Sequence, residues 1–229
     1  MEEVANNEPD ACLVVFFKAP ERSKRRLVEE IGELATQAAA HLWECVVEDL
    51  ENWQGAVVFA PAELDDAGWL DEQLNEPHAV VLQRGTNLGE RINHVDGILR
   101  HSGETRLIFV GTDCPSMTPD YLTHAAQQLN VADVVLGPAS DGGVVLMGSR
   151  VAWPPLARLS WSTSELGREL EETCTKAGFT VDVLEPRDDI DTTDALLAAR
   201  PSLAADSRPA RRAFKNWLPK PGAAWPKQP

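Results

Sequence analysis

A layered α/β fold, with helices on both faces of a mostly parallel sheet, is predicted by three features of this 229-residue sequence. Short apolar runs of strand length alternate with helical patterns almost from end to end. The runs are apolar at consecutive positions rather than at every second one, as strands covered on both faces must be. No linker-like stretch interrupts residues 12–199, so one three-layer α/β/α domain fits better than two small ones.

The elements follow in order. CLVVFF (12–17) is a continuous apolar run and reads as the first strand. A polar, basic loop over 18–26 (KAPERSKRR) separates it from a long helix, in which Leu34, Ala38, Leu42, Cys45, Val46 and Leu50 recur at three- and four-residue steps. GAVVFAP (55–61) is a second strand, residues 65–75 a short helix, and AVVLQ (79–83) a third strand. Residues 87–100 form a helix with Leu88, Ile92, Val95 and Leu99 on its apolar side, and RLIFV (106–110) is the fourth strand. The helix over 118–129 starts with Thr118, a good N-cap, and Pro119 in its first turn. DVVLGP (133–138) and VVLMG (144–148) are the fifth and sixth strands. The helix over 162–178 is expected to be capped by Ser162 or Thr163, with Gly178 past its end. TVDVL (180–184) is a last strand, and TTDALLAAR (192–200) a closing helix.

Charge is unevenly placed. The net charge is −15, yet from Arg200 onward seven Lys and Arg face one Asp206, so that tail carries +6 and residues 1–199 carry −21. A body this acidic repels nucleic acid and anionic membrane, and a phosphorylated ligand would need a local basic pocket or a divalent cation. The expected organisation is a flexible leader (1–11), the domain (12–199) and a basic, Pro-rich tail (200–229). The tail is short of apolar periodicity, so from about residue 203 onward it is expected to be dispensable for folding. No run approaches membrane-span length, and MEEVANNEPDA is no signal peptide. Four scattered cysteines (Cys12, Cys45, Cys114, Cys174) form neither a CxxC pair nor a zinc spacing, so a reduced cytoplasmic protein without membrane insertion is expected.

Four polar clusters fall at strand ends, where ligands collect in α/β folds. The first, Lys18 with Arg22, Lys24, Arg25 and Arg26, puts five cations into nine residues. It reads either as a grip on a diphosphate or triphosphate or as a solvated loop paired with carboxylates, and it lacks the GK[ST] element of a Walker A loop. The second, GTDCP (111–115), sets Asp113 where a strand meets the ligand edge. That Asp is either a turn cap or a ligand for Mg²⁺ or Mn²⁺, which prefer carboxylate oxygens and bridge to substrate phosphates. Cys114 reads as a small buried thiol rather than a nucleophile, since no base lies near it in sequence. The third, GPASDGG (137–143), is equally a hairpin turn or a place where backbone approaches a ligand. The fourth, RDDIDTTD (187–194), offers Asp191 as a helix cap or as a second carboxylate for the same metal as Asp113. Its DxDxT match to haloacid-dehalogenase phosphatases lies too near the end of the chain to fit that fold. The five histidines show no ligand spacing.

Taken in order, Phe17-Lys18-Ala19-Pro20, Lys24-Arg25-Arg26-Leu27, Asn87-Leu88-Gly89-Glu90-Arg91, Gly111-Thr112-Asp113-Cys114-Pro115, Gly137-Pro138 with Asp141-Gly142-Gly143, Trp161-Ser162-Thr163 and Asp189-Ile190-Asp191-Thr192 resemble the bacterial DUF2064 family. That family is described as glycosyltransferase-A-like, in the nucleotide-diphospho-sugar transferase fold. The resemblance spans roughly 12–199 and implies roles. Lys18, Lys24 and Arg26, with Arg91 and Thr112, would meet the nucleotide phosphates. Asp113 would be the metal-binding and catalytic Asp, with Asp191 a further acidic residue at the metal. Asp141 would be catalytic, with Gly142 and Gly143 on the acceptor side. The basic loop is two residues shorter than the family pattern and lacks its Gly; Arg25 replaces a usual Thr, and Val144 a usual aromatic.

The expected function is therefore a Mg²⁺- or Mn²⁺-dependent transferase that uses a nucleotide or nucleotide-sugar donor and a small-molecule acceptor, most simply a glycosyltransferase. A nucleotidyltransferase releasing pyrophosphate is the alternative enzyme. A catalytically degenerate relative that binds a nucleotide or a partner is the alternative of another class, and the short loop favours it.

Overall fold

The computed structural model describes residues 11–74 and 76–220. Most of the expected leader, and the tail beyond Lys220, lie outside the described residues. One seven-stranded sheet runs in the order β3-β2-β1-β4-β6-β5-β7. Its strands are β1 (Cys12–Phe17), β2 (Val57–Pro61), β3 (Ala79–Val80), β4 (Leu107–Val110), β5 (Val134–Pro138), β6 (Val144–Ser149) and β7 (Val181–Val183). All pairs are parallel except those of β6, which runs antiparallel between β4 and β5. The Asp141-Gly142-Gly143 segment is thus a hairpin turn, the first of its two readings. β3 is shorter than its apolar run: Val81 and Gln83 follow it with single bonds from their N–H groups to Phe59 O and Pro61 O, at 2.9 and 3.1 Å.

Consecutive apolar residues on each strand feed opposite faces of the sheet. Leu13, Val15 and Phe17 pack with α2 (Leu34–Leu50), α3 (Leu64–Gln73) and α5 (Pro119–Gln128) through Trp43, Leu70 and Leu122. Cys12 and Val14 pack with α4 (Leu88–His101) and α6 (Leu166–Lys176) through Ile92, Val95 and Leu170. This is the three-layer architecture, with the sheet covered on both sides as the strand composition requires. Thr118 caps α5, its Oγ1 accepting from Tyr121 N–H at 3.1 Å. α6 starts later than expected, at Leu166, and Ser162 takes a left-handed φ of 64° instead of capping it.

The basic loop is partly helical. A 3₁₀ turn (Pro20–Arg22) is followed by α1 (Arg25–Ile31). Asp66, fully buried at the start of α3, accepts from Ala19 N–H at 2.9 Å and from Glu63 N–H at 2.9 Å, which clamps the loop to that helix. Arg22 adds an ion pair to Asp65 at 2.9 Å.

The largest departure from expectation concerns the tail. α7 (Thr193–Ser202) and α8 (Pro209–Trp217) join α1 and α2 in a satellite core built from Leu27, Leu42, Leu196, Leu203, Phe214 and Leu218. The expectation that the chain beyond about residue 203 stays out of the core is therefore corrected. Arg211 of α8 is fully buried. Its guanidinium donates to Glu48 at 2.9 Å, to Asp49 at 2.5 Å, and to the carbonyls of Cys45, Pro115 and Met117. Arg208 donates to Asp49 at 2.6 Å and to Met117 O at 2.9 Å. Burial pushes the Asp49 carboxyl up to about 6, and the two guanidiniums act against that rise.

Removing one partner of a buried ion cluster leaves uncompensated charge. Arg211→Ala should therefore cost about 3–5 kcal/mol in urea unfolding. Deleting residues 203–229 should lower Tm by more than about 10 °C. A change of a degree or two would show that the satellite core is not coupled to the domain.

Candidate functional site

The carboxyl ends of β1, β4, β5 and β7, with the start of β6, share one edge of the sheet. Each of the four polar clusters follows one of these ends. Two backbone contacts draw the last cluster onto the others: Ala139 pairs with Arg187 in a single bridge, and Ile190 N–H donates to Asp113 O at 2.8 Å. Asp113 and Asp191 are therefore brought together although 78 positions separate them in sequence.

Their carboxylates converge on a lysine. Lys24 Nζ lies 2.7 Å from Asp113 Oδ1 and 3.3 Å from Asp191 Oδ1, and it also donates to Ile190 O. The Lys24 side chain is only 4% exposed, whereas those of Asp113 and Asp191 are 41% and 50% exposed. Lys24 has left-handed backbone, φ 52° and ψ 39°, immediately before α1. That conformation is costly for a residue with a Cβ, and among the described non-glycine residues only Ser162 shares a positive φ. Thr112 Oγ1 donates to Asp113 Oδ1 at 3.2 Å.

A cleft of about 370 Å³ opens beside these groups. It is lined by Ser140, Asp141, Asp188, Asp189 and Asp191, and by the small residues Ala195, Ala198 and Ala199 of α7. Asp141 Oδ1 accepts from Gly143 N–H at 2.9 Å, which closes the β5–β6 turn. Gly142 is required for packing. Its φ is +94°, and a Cβ there would meet Ser164 O at 2.1 Å, so the glycine lets the 161–164 loop lie directly on the turn. From this turn it is Ser140 and Asp141 that line the cleft.

The other expected phosphate groups are spread out. Lys18 is exposed and lines a separate open cleft of about 460 Å³ with Arg22 and Arg25. Arg26 is exposed on the first turn of α1. Arg91 is half-buried on α4, where its Nε donates to Gly85 O at 3.2 Å. Asn87 caps α4, its side chain accepting from Glu90 N–H at 3.0 Å. A Cβ on Gly89 would strike Leu156 O at 2.3 Å, so part of the Asn-Leu-Gly-Glu-Arg motif serves contact with the 153–161 loop.

Asp189 is a site residue that sequence reasoning did not select. Burial, and then the like charges of Asp141, Asp191 and Asp113, push its carboxyl up to about 6. The available signal was its spacing: in extended chain, Asp189 and Asp191 point to the same side. All four cysteines are free. Burial pushes the Cys114 thiol up to about 11, which fits the reading of it as an inert thiol.

Among the described residues no three His, Cys, Asp or Glu side chains form a ready metal cage. The oxygen donors of Asp113 and Asp191 suit Mg²⁺ or Mn²⁺, which are usually held by one or two carboxylates together with substrate phosphates. The donor set fits such an ion, and the point on which it converges is taken by the Lys24 ammonium.

Asp189 should titrate near pH 6 by carboxyl NMR, and Asp191→Asn or Asp141→Asn should lower that midpoint. Its folded-state value lies above the ordinary value of about 3.9, so folding favours the protonated form. This stabilising contribution is complete below about pH 4 and is lost as pH rises through about 6. Compared with Asp189→Asn, the wild-type protein should lose stability across that interval. A midpoint near 4 in the wild-type protein would refute the assignment.

Solved structures share this architecture. A candidate nucleotide-diphospho-sugar transferase from Desulfovibrio desulfuricans G20 superposes with a TM-score of 0.83 at 24% identity, covering 90% of this chain and 94% of that one. A cytidylyltransferase from Leptospira borgpetersenii gives 0.59 at 13% identity, covering 90% and 92%. A CMP:2-keto-3-deoxy-manno-octonic acid synthetase complexed with CTP gives 0.54 at 13% identity, covering 85% and 98%. At these identities the likeness is one of fold. No curated protein matches the sequence. Residues 33–163, more than half of the chain, match the family model described as an uncharacterized protein conserved in bacteria (DUF2064), and the chain belongs to that family.

Proposed function

We propose that this protein is a nucleotide-dependent transferase that moves a glycosyl group from a nucleoside diphosphate sugar to an acceptor hydroxyl held in the cleft against α7. The observation that carries this reading is the charge of the cleft, which has four aspartates and neither lysine nor arginine among its lining residues. A phosphorylated acceptor, which nucleotidyl transfer of the expected kind requires, would meet several like charges there with no cation on the wall. A neutral or amine-bearing polyol would instead find carboxylate and hydroxyl acceptors for its hydrogen bonds.

In this reading Asp141, oriented by Gly143 N–H, takes the proton of the attacking hydroxyl, and Asp189 adds a second carboxyl whose proton exchanges near pH 6. The bond between the sugar carbon and the diphosphate oxygen breaks as the bond to the acceptor oxygen forms, and the nucleoside diphosphate leaves. Lys24 and Thr112, which contact Asp113, are assigned to the donor phosphates. A divalent cation held by Asp113 and Asp191 would supply charge neutralisation for the leaving diphosphate.

The fold likeness to cytidylyltransferases supports a second reading, nucleotidyl transfer from an NTP. A thermal-shift panel of sugar nucleotides and NTPs, with and without Mn²⁺, separates the readings, because a ligand that binds only the folded state raises Tm. Sugar nucleotides should raise it most, and the product should be a nucleoside diphosphate. NTP-only hits with pyrophosphate release would favour the second reading, and no hit at all a degenerate relative.

Asp113→Asn keeps the shape of the side chain and removes its charge. Calorimetric titration should show metal-dependent binding of the sugar nucleotide in the wild-type protein and none in the variant. Stability should change by no more than about 1 kcal/mol, as for a pair half open to solvent. Equal metal-dependent affinity in both proteins would contradict the role given to Asp113.

A further inference from the structure

We propose that Lys24 is the resident cation of the Asp113–Asp191 site, and that a divalent metal enters only when a phosphate-bearing ligand draws the Lys24 ammonium away from the two carboxylates. This inference rests on the proposed function only in taking the site to be one for metal and phosphate.

An ammonium has three donors and no acceptor. Those of Lys24 are matched by three oxygens: Asp113 Oδ1 at 2.7 Å, Asp191 Oδ1 at 3.3 Å and the carbonyl of Ile190. Mg²⁺ binds carboxylate oxygen at about 2.0–2.1 Å. A metal on these same oxygens would lie against the ammonium, and two unscreened cations do not share a pocket in which the lysine side chain is 4% exposed. The metal and Lys24 are therefore competitors for one place.

The lysine is also built to leave. Its flexible four-carbon stem ends in a compact charge that can swing without moving the loop. Of the five cations in residues 18–26, Lys24 is the one that the fold turns inward onto Asp113 and Asp191. A diphosphate offers more negative charge than either carboxylate and is the partner that lets Lys24 exchange one anion for another. Phosphate and metal would then bind together, each favouring the other, as linkage requires.

Manganese binding in the absence of any nucleotide tests this directly. Mn²⁺ titrations followed by electron paramagnetic resonance would compare wild type with Lys24→Gln, Lys24→Arg and the double variant Lys24→Gln/Asp113→Asn. Gln can still donate to Ile190 O but carries no charge. Lys24→Gln should bind one Mn²⁺ at least about tenfold more tightly than wild type. Lys24→Arg should stay as weak as wild type, and the double variant should lose the gain. Should Lys24→Gln fail to fold, Lys24→Met serves in its place. The proposal is overturned if the neutral variants bind Mn²⁺ no better than wild type, or if Lys24→Arg gains as much as they do. Failure of the transferase reading would show elsewhere, as absence of sugar-nucleotide binding to the wild-type protein.

Discussion

The buried Arg211 guanidinium is the interaction on which the geometry of this protein depends. It joins three segments that are remote in sequence: α8, which carries it; α2, through Glu48 and Asp49; and the loop after β4, through the carbonyls of Pro115 and Met117. A guanidinium offers five donors in a fixed plane, so it sets orientation as well as contact. The loop it grips carries Asp113. The carbonyls of Pro115 and Met117 accept from the far end of the chain, which makes the C-terminal helix part of the support of the site. A buried ion cluster is poor evidence of net stability, but its loss is severe because each member leaves another uncompensated.

The same logic of compensation runs through the site. The acidic body would disfavour several carboxylates at one edge, yet Asp113, Asp141, Asp189 and Asp191 meet there. Lys24 relieves two of them by direct ion pairing. Asp189 is relieved in another way, by keeping its proton to about pH 6. The edge is thus poised with respect to charge: Lys24 already holds the place of a cation at Asp113 and Asp191, and an added anion meets like charge where Asp141, Asp188 and Asp189 line the cleft. In the function proposed above, that asymmetry separates the donor side from the acceptor side.

Much of this was legible in sequence. Doubly covered strands such as Leu107–Val110 announce themselves by unbroken apolar runs, and the position of Asp113 follows from where that run stops. Thr118 and Asn87 cap their helices by local chemistry that short-range pattern carries. What was not legible depended on distance or direction. α8 shows helical spacing at Arg211, Phe214 and Leu218, but a buried arginine among few apolar residues reads as solvated until Glu48 and Asp49 are known to face it. Lys24 is indistinguishable in sequence from the other cations around it, and a left-handed backbone decides that it turns inward. Asp189 gains its character only from carboxylates that the fold brings to it. The antiparallel β6 was hidden because a DGG turn serves a hairpin and a ligand loop equally well.

The interplay of metal and Lys24 is tested most directly by where a metal sits relative to the ammonium. A crystal structure of the wild-type protein grown with Mn²⁺ and a nucleoside diphosphate would settle it. The predicted result is an anomalous manganese peak between Asp113 and Asp191, with the Lys24 ammonium moved onto a phosphate oxygen. Manganese bound elsewhere, or bound there with Lys24 still bridging the two carboxylates, would contradict it.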